Sequence, residues 1–309
     1  MKKRSFLVIL LVCATFWHSA AEAATKCKRS ASYKPIAERY VHGIIFKISR
    51  CDVQDSYILG TMHADDPAIT PIFNDASTLL ESVDAVGVEF VEDEKTSEVA
   101  RKYMFYGPTE PGGLHTLLSS VNFRALADAL QAKMGIPPQA VARMRPWAAA
   151  IMLQFPESKA DGISLDVRLQ KKAKTAGKEL FGLETPEEQY EVFMQIPDEL
   201  QQSMLEDTIQ QIPQITQINA DFTDAYVARD LKRLNALAQD SLEMHSDPQL
   251  QGYMEAKLIR ARNYNMTQRM QPRLMNSSAL IAVGALHLMG EEGILPLLEK
   301  EGYSIESVK

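Results

Sequence analysis

The chain has 309 residues, a formal net charge of −7 and a hydrophobic content of 46%. An acidic balance argues against nucleic-acid binding, because that function depends on clustered lysine and arginine side chains. The hydrophobic content is sufficient for a sizeable core, and the length suits one large domain or one domain with an insertion.

The first 23 residues have the organisation of a secretory signal peptide. Basic residues at 2–4 precede an apolar run at 6–17, and an Ala-Glu-Ala cleavage site follows at 21–23. The apolar run is shorter than the roughly 20 residues needed to span a bilayer, which makes an uncleaved membrane anchor the second choice. We therefore expect a periplasmic or secreted protein without stable membrane insertion, whose single mature domain covers 24–309.

Two cysteines, Cys27 and Cys51, remain after removal of the signal peptide. In an oxidising compartment an isolated pair of this kind indicates a disulfide bond. The bond would close a loop of about 25 residues and stabilise the fold by roughly 3–4 kcal/mol in the chain-entropy model.

The predicted elements begin with two β-rich segments, 42–49 and 56–59, which are separated by a polar segment and are typical of a hairpin. A helix at 67–82 and a buried strand at 85–90 follow. Apolar periodicity and glycine or proline boundaries predict the next group. This group comprises helices at 95–106, 122–134, 146–155 and 163–175, and a short strand at 178–183.

Residues 186–272 are predicted to be almost entirely helical. Two prolines interrupt the pattern, Pro197 and Pro213, and three aspartates are candidate N-caps, Asp198, Asp221 and Asp230. The remaining elements are a strand at 279–283, a helix at 291–300 and an edge strand at 303–308. Strands near both ends, with helices between them, predict an α/β fold with a mixed central sheet and a large, mostly helical insertion.

Two short motifs share one pattern. In 57–63 (YILGTMH) and 282–287 (AVGALH), an apolar strand reaches a glycine and a histidine follows three residues later. Glycine permits a turn that a side chain would block, and ligands of open α/β sheets bind where parallel strands end. A single histidine of this kind is more often structural. Two matching motifs from opposite ends of the chain predict that His63 and His287 form one active site.

Two glutamates follow other predicted strands. Glu89 ends the apolar segment 85–90, and burying its carboxylate is costly unless a cation or hydrogen-bond donors meet it. Glu89 therefore has either a structural role, as the partner of a core arginine, or a functional role, as a metal ligand or as a base that activates water. Glu184 follows the strand at 178–183 and precedes Pro186, so it serves either the start of a helix or the chemistry.

These motifs resemble those of the TraB/GumN (TraB/PrgY/GumN) family, which is similar to the Tiki metalloproteases. The resemblance covers nearly the whole mature chain. It rests on the two Gly-x-x-His motifs, on VGVEF around Glu89, on Pro146-Trp147, on the signature 163–189, on Arg262-Asn263 and on the terminal block 282–308. The resemblance implies a fold shared with the erythromycin esterases and the ChaN-type haem-binding lipoproteins. By analogy with the Tiki proteins, it also implies metal-dependent proteolysis.

Our first hypothesis is therefore a divalent-metal-dependent hydrolase, most plausibly a peptidase. His63, Glu89 and His287 would ligate the ion, with open positions for water and substrate. Glu184 would be a general base or support a ligand, and Arg262 would stabilise a developing oxyanion. Asn263 and Asp166 are candidates for supporting roles. The rival role for Arg262 is a solvated helix face or a structural partner of either glutamate.

Two alternatives belong to other classes. A metal-free hydrolase would use one histidine, held by Glu89, to take a proton from water. A haem- or metal-binding protein would catalyse no reaction. The sequence leaves open whether the ion is Mn, Co or Zn, and whether the substrate is a peptide or a small molecule.

Overall fold

The computed structural model describes residues 40–308. The predicted signal peptide at 1–23 and Cys27 lie outside the described residues, so the cleavage and the Cys27–Cys51 disulfide stay predictions. Within residues 40–308, no helix combines the length and the hydropathy needed to cross a membrane.

A six-stranded mixed sheet forms the centre of the molecule. Its strands are β1 Ile45–Ser49, β2 Ser56–Thr61, β3 Ala85–Val88, β4 Glu179–Gly182, β5 Ala279–Gly284 and β6 Ser304–Val308. Their order across the sheet is β4-β3-β5-β2-β1-β6. The strands β4, β3, β5 and β2 are mutually parallel. Both β2 and β6 pair with β1 in the antiparallel sense, which confirms the predicted hairpin and the predicted edge strand.

The central strands are continuous apolar runs because helices cover both faces of the sheet, as parallel strands require. In β5 the first five residues are buried, and all four residues of β3 are buried. The predicted strand 85–90 is two residues shorter in the structure. Glu89 and Phe90 lie just beyond its last residue, at the carboxyl edge of the sheet.

Fourteen α-helices are present within the described residues. They are α1 Thr70–Ser82, α2 Glu94–Met104, α3 Leu114–Leu117, α4 Ser120–Met134, α5 Pro138–Val141, α6 Pro146–Gln154, α7 Leu165–Thr175, α8 Pro186–Met194, α9 Asp198–Gln210, α10 Ile212–Val227, α11 Leu231–Glu243, α12 Pro248–Tyr253, α13 Arg262–Asn276 and α14 Ile294–Lys300. Short 3₁₀ helices cover Pro67–Ile69 and Ala285–His287. A π-helix, Met254–Ala261, joins α12 to α13.

The apolar side chains form two clusters. One surrounds the sheet and includes α1, α7, α13 and α14. The other lies among helices, and it draws on 114–153 as well as on 196–250. Trp147 stacks on Phe193 at a centroid distance of 5.0 Å and joins the two stretches. The predicted helical block 186–272 therefore does not form a core of its own. One part packs with an earlier group of helices, and another part, which includes Tyr226 and Met266, packs against the sheet.

Of the three aspartates predicted to be N-caps, one is confirmed and two differ from the structure. Asp230 is an N-cap as predicted, and its carboxylate accepts a hydrogen bond from the backbone of Arg233. Asp198 instead begins α9 after the N-cap Pro197, whose extended backbone takes that position. Asp221 lies inside α10, where Gln217, one turn earlier, donates to its carboxylate and stabilises it in the helix interior.

Pro272 does not end the last long helix. It lies inside α13, which continues to Asn276. At this position a proline removes one backbone donor, and its ring crowds the carbonyl one turn earlier. The Asn276 amide donates to the carbonyl oxygen of Pro272 at 2.7 Å and closes the last turn.

Candidate active site

The four adjacent parallel strands each deliver one polar side chain to the same edge of the sheet. In the spatial order β4-β3-β5-β2, these are Glu184, Glu89, His287 and His63, each within three residues of the end of its strand. The carboxyl edge of parallel strands is where α/β proteins bind ligands. The structure thus brings the four residues of the sequence hypothesis into one row, although they span more than 200 positions of the chain.

The two glutamates lie side by side because the pairing of β3 with β4 continues past the last ladder residues. The backbone N–H of Leu183 donates to the carbonyl of Val88 at 2.8 Å. The N–H of Glu184 donates to the carbonyl of Glu89 at 2.7 Å. Both side chains are buried, and they carry like charges when ionised. Such an arrangement needs a cation between or beside them.

Arg262, the first residue of α13, supplies that cation. Its Nε lies 3.0 Å from both carboxylate oxygens of Glu184, and its Nη2 donates to Oε2 of Glu184 and to Oε2 of Glu89, each at 2.7 Å. The guanidinium is itself buried. Arginine suits this position because its planar fork of donors matches two carboxylates at once.

Glu89 is saturated with hydrogen bonds. Besides Arg262, its carboxylate accepts from the Gln189 side chain at 2.9 Å and from the backbone N–H of Gly284 at 2.7 Å. Burial alone would raise the pKa of Glu89. The positive charge of Arg262 outweighs burial and holds this pKa well below its ordinary value. Glu89 is therefore a stable carboxylate at neutral pH.

His287 is buried and neutral. Its Nδ1 lies 2.7 Å from Oδ1 of Asn263, while Nδ2 of Asn263 donates to the carbonyl of Glu292 and fixes the amide orientation. The Nδ1 therefore carries the proton, and Nε2 accepts from Nη1 of Arg262 at 3.1 Å. Burial, together with the nearby Arg262 charge, lowers the pKa of His287 to about 4.

His63 has the opposite environment. Its side chain is 53% exposed, and its Nδ1 lies 2.9 Å from Oδ2 of Asp166, the second residue of α7. The negative charge of Asp166 raises the pKa of His63 to about 9 against the effect of desolvation. His63 also interacts electrostatically with Glu89 and Arg262. At neutral pH it is therefore an accessible imidazolium beside a buried ionic cluster.

Neither motif glycine, Gly60 or Gly284, has a positive φ, so the backbone conformation of the turns does not by itself require glycine at these positions. A Cβ on Gly60 would meet the Ala285 backbone at 2.9 Å, so this glycine lets the two Gly-x-x-His turns touch. A Cβ on Gly284 would lie 3.2 Å from Oε1 of Glu89. The glycines are required for close approach of chain segments, which is a different physical reason from the turn geometry.

Asp65 holds the loop that precedes α7, the helix that contains Asp166. Its buried carboxylate accepts from the hydroxyl of Ser158 at 2.6 Å and from the backbone N–H groups of Lys159 (2.9 Å), Ala160 (3.2 Å) and Gly162 (2.8 Å). Desolvation opposes ionisation, yet these donors lower the pKa of Asp65 to about 2. The segment after β2 and the segment before α7 are thereby joined next to the His63–Asp166 pair.

Several contacts were not predicted. Gln189 holds Glu89, Asp65 holds the loop before α7, and the hydroxyl of Tyr226 donates to the carbonyl of Gly60 at 2.8 Å across 166 sequence positions. Gln189 lies in the family signature 163–189, and Asp65 lies two residues after His63. Both residues are therefore in or next to a motif that the sequence analysis identified. The sequence contains no signal for the contact of Tyr226.

The proposed ligands do not surround a common point in the described residues. Within 40–308, no three His, Cys, Asp or Glu side chains lie close enough together to hold a metal ion. Glu89 lies 3.9 Å from Nε2 of His287, but Arg262 contacts both groups. The rival role considered for Glu89 and Arg262, an ion pair in the core, is the contact that the structure contains.

The donor chemistry nevertheless fits a divalent ion. Metal-ligating histidines usually hold their second ring nitrogen against an oxygen, as His63 does with Asp166 and His287 with Asn263. That arrangement leaves the Nε2 atoms for the ion once His63 has lost its proton. To bind the ion, Nε2 of His287 and Oε2 of Glu89 would each have to give up a hydrogen bond from Arg262. Arg262 would remain bonded to Glu184.

The fold and the site define an α/β protein with a polar cluster of two histidines, two glutamates and an arginine at the carboxyl edge of its parallel strands. The family model for the TraB/PrgY/gumN family matches residues 44–307, and the chain belongs to that family. No curated protein and no solved structure matches the chain significantly.

Proposed function

We propose that this protein is an exported hydrolase whose catalytic centre is the row of residues at the sheet edge, and that it acts as a divalent-metal-dependent peptidase. The observation that carries the proposal is the pair of oriented imidazoles. Each Nδ1 faces an oxygen acceptor, and a buried glutamate, Glu89, lies beside His287. The resemblance to the Tiki metalloproteases supports the choice of peptide substrates.

The residues would divide the work as follows. His63, Glu89 and His287 would hold the ion, which when bound would lower the pKa of a water molecule and polarise the substrate carbonyl. Asp166 and Asn263 orient the two imidazoles. Arg262, retained by Glu184, places a fixed positive charge beside Glu89, where it can stabilise negative charge that develops on the substrate.

A metal-free hydrolase is the second candidate, and a specific contact favours it. Arg262 already supplies positive charge to Glu89 and to His287, and the exposed His63 imidazolium is paired with Asp166. In this version the neutral His287, beside Glu89, takes a proton from the attacking water. His63 donates a proton to the leaving group, and Arg262 stabilises the oxyanion. The metal-dependent version requires His63 to be neutral, so the two differ in the protonation state of this histidine.

The test uses mature protein purified without chelator or affinity tag, with metal analysis and a peptide-library cleavage assay. We expect cleavage that a chelator abolishes and that Mn, Co or Zn restores. His63→Ala and His287→Ala should each abolish metal binding and cleavage, and the double variant should be no worse, because residues that act together are non-additive. His115→Ala, at an exposed histidine, is the matched control.

Other outcomes lead to other conclusions. Turnover of peptides or esters that resists the chelator would support the metal-free hydrolase. Absence of turnover, together with a saturable absorbance change on haem titration, would support a binding protein without catalysis. Retention of both metal and near-normal turnover in either histidine variant would contradict the site.

The proposal of export has its own test. If the protein is exported, Cys27 and Cys51 should be paired, and thiol counting on the denatured, unreduced protein should find no free thiol. Two reactive thiols per chain would contradict the disulfide.

A further inference from the structure

A cavity adjoins the candidate active site. It has a volume of about 590 Å³ and lies between α10, α11, the π-helix and the segment that follows β5. Asn263, which holds Nδ1 of His287, is part of its wall, whereas His63, Glu89 and Glu184 are not. It is therefore a separate space that shares one residue with the site described above.

The walls are mainly aliphatic. The apolar lining includes Ile215, Ile218, Phe222, Leu242, Leu258 and Ile259. Met254 and Met289 also line the cavity and can adapt to ligands of different shape. The volume falls within the roughly 300–1,000 Å³ of small-molecule sites. A flexible aliphatic chain fits such walls better than a flat aromatic ring system. A ring system would require aromatic side chains to stack against, and Phe222 is the one such side chain in the lining that residues 40–308 provide.

One part of the cavity contains buried polar atoms that lack partners. Nε2 of Gln211 and Nδ1 of His245 are both buried, and neither has a hydrogen-bond partner among residues 40–308. The two groups are neighbours through Asp207, whose carbonyl accepts from the Gln211 N–H and whose carboxylate lies 3.8 Å from His245 Nδ1. Buried polar groups normally find a partner, so these atoms point to a ligand that carries an oxygen.

The charges around the cavity select against an anion. Glu255, Glu291 and Glu292 line it, and the one cation of the lining, Arg260, is paired with Glu292 at 2.6 Å. A ligand carboxylate would therefore face uncompensated negative charge. Burial lowers the pKa of His245, which leaves this imidazole neutral at neutral pH and unable to offset that charge.

The π-helix Met254–Ala261 forms one wall of the cavity. Stretches of π-helix are rare and are frequent at functional sites. This one also connects the cavity to the site, because its Leu258 lines the cavity while the Leu258 carbonyl accepts from Arg262 at 3.3 Å.

We propose that this cavity binds a neutral small amphiphile, an aliphatic chain that ends in a hydroxyl or ester group, with the oxygen of the ligand accepting from Gln211. The proposal does not depend on hydrolysis, since none of the groups proposed to hold the metal ion line the cavity.

The experiment measures binding of three decyl probes to the mature protein by calorimetry: monodecanoylglycerol (neutral), decanoate (anionic) and decyltrimethylammonium (cationic). We expect saturable binding of the neutral probe, at least tenfold weaker binding of decanoate, and no preference for the cation. Gln211→Leu should weaken the neutral probe severalfold. Tighter binding of either charged probe than of monodecanoylglycerol would overturn the neutral head group.

Two matched substitutions on α11 locate the site. Ala238 lines the cavity, whereas Ala236 is exposed on the same helix and does not. Ala238→Trp should abolish binding and Ala236→Trp should leave it unchanged. Ala238→Phe replaces the first variant if that does not fold. His63→Ala should bind the probe as the native protein does, which separates this proposal from the catalytic one. Absence of saturable binding, or full binding by the Ala238 variants, would overturn it.

Discussion

The two turns share the Gly-x-x-His pattern after an apolar strand but have opposite environments. His63 is half exposed, faces Asp166, and has its pKa raised to about 9. His287 is buried between Asn263 and Arg262, and its pKa is lowered to about 4. The comparison shows that the motif determines where each imidazole lies, whereas partners from distant segments determine its charge. Substitution of those partners should therefore change the two histidines in different ways.

The largest effect is expected at Arg262, the partner that distinguishes the buried turn. Arg262→Met leaves the carboxylates of Glu89 and Glu184 buried without their cation. Breaking a buried ion pair in this way destabilises a protein by about 3–5 kcal/mol. Urea unfolding should show a loss of this size, and the pKa of His287 should rise because the nearby positive charge is gone.

Arg260→Met is the control for that substitution. Arg260 lies two residues earlier, is half exposed, and pairs with Glu292 at the surface. Surface pairs contribute about 0–1 kcal/mol, so this variant should be close to the native protein. Equal losses for the two variants would contradict the role assigned to the buried cluster.

A smaller effect is expected at Asp65, which supports the exposed turn. Asp65→Asn replaces one acceptor oxygen with an NH₂ group that faces the donors of Ser158, Ala160 and Gly162. Loss of such bonds to a buried carboxylate costs about 1–3 kcal/mol. Because the loop before α7 is loosened, the pKa of His63 should also fall. Asp66→Asn, where a partly exposed carboxylate pairs with Lys159, is the control. A drop in stability without any change in the titration of His63 would limit Asp65 to a structural role.

The smallest effect concerns pH. The folded-state pKa of His63 is above its ordinary value of 6.5, so its pairing with Asp166 stabilises the fold fully below pH 6.5, and that stabilisation is lost as the pH rises to about 9. The contribution of His287 depends on pH in the opposite direction. Because His287 remains neutral in the folded protein, its contribution to stability is present above pH 6.5 and is lost as the pH falls to about 4.

Asp166→Asn removes only the first of these dependences. The pKa of His63 should return toward 6.5, and the decline of melting temperature between pH 6.5 and 9 should become flatter than in the native protein. The acid decline should be unchanged, because it belongs to His287. A variant that retains the alkaline decline in full would show that Asp166 does not set the charge of His63.

The sequence predicted the sheet and the strand-end positions of four polar side chains because both depend on local signals. Apolar runs, glycines and strand-end polar residues placed His63, Glu89, Glu184 and His287 correctly at strand ends. The pairing of Arg262 with both glutamates could be raised only as a rival role. Met266, Met270 and Leu274 follow Arg262 at intervals of four residues and indicate the buried face of α13, but this spacing does not indicate which side chains face it. The contact of Tyr226 with Gly60 and the sharing of the helical core by two separate stretches depend on tertiary packing, which short-range patterns do not encode.

The central claim is that the two turns form one electrostatic unit, and titration of His287 tests it most directly. The imidazolium of His63 is one of the charges that hold the pKa of His287 down. We predict that NMR titration in the presence of a chelator gives a pKa near 4 for His287 in the native protein and a higher value in His63→Gln. An unchanged pKa of His287 in that variant would contradict the claim, and so would ordinary values near 6.5 for both histidines in the native protein.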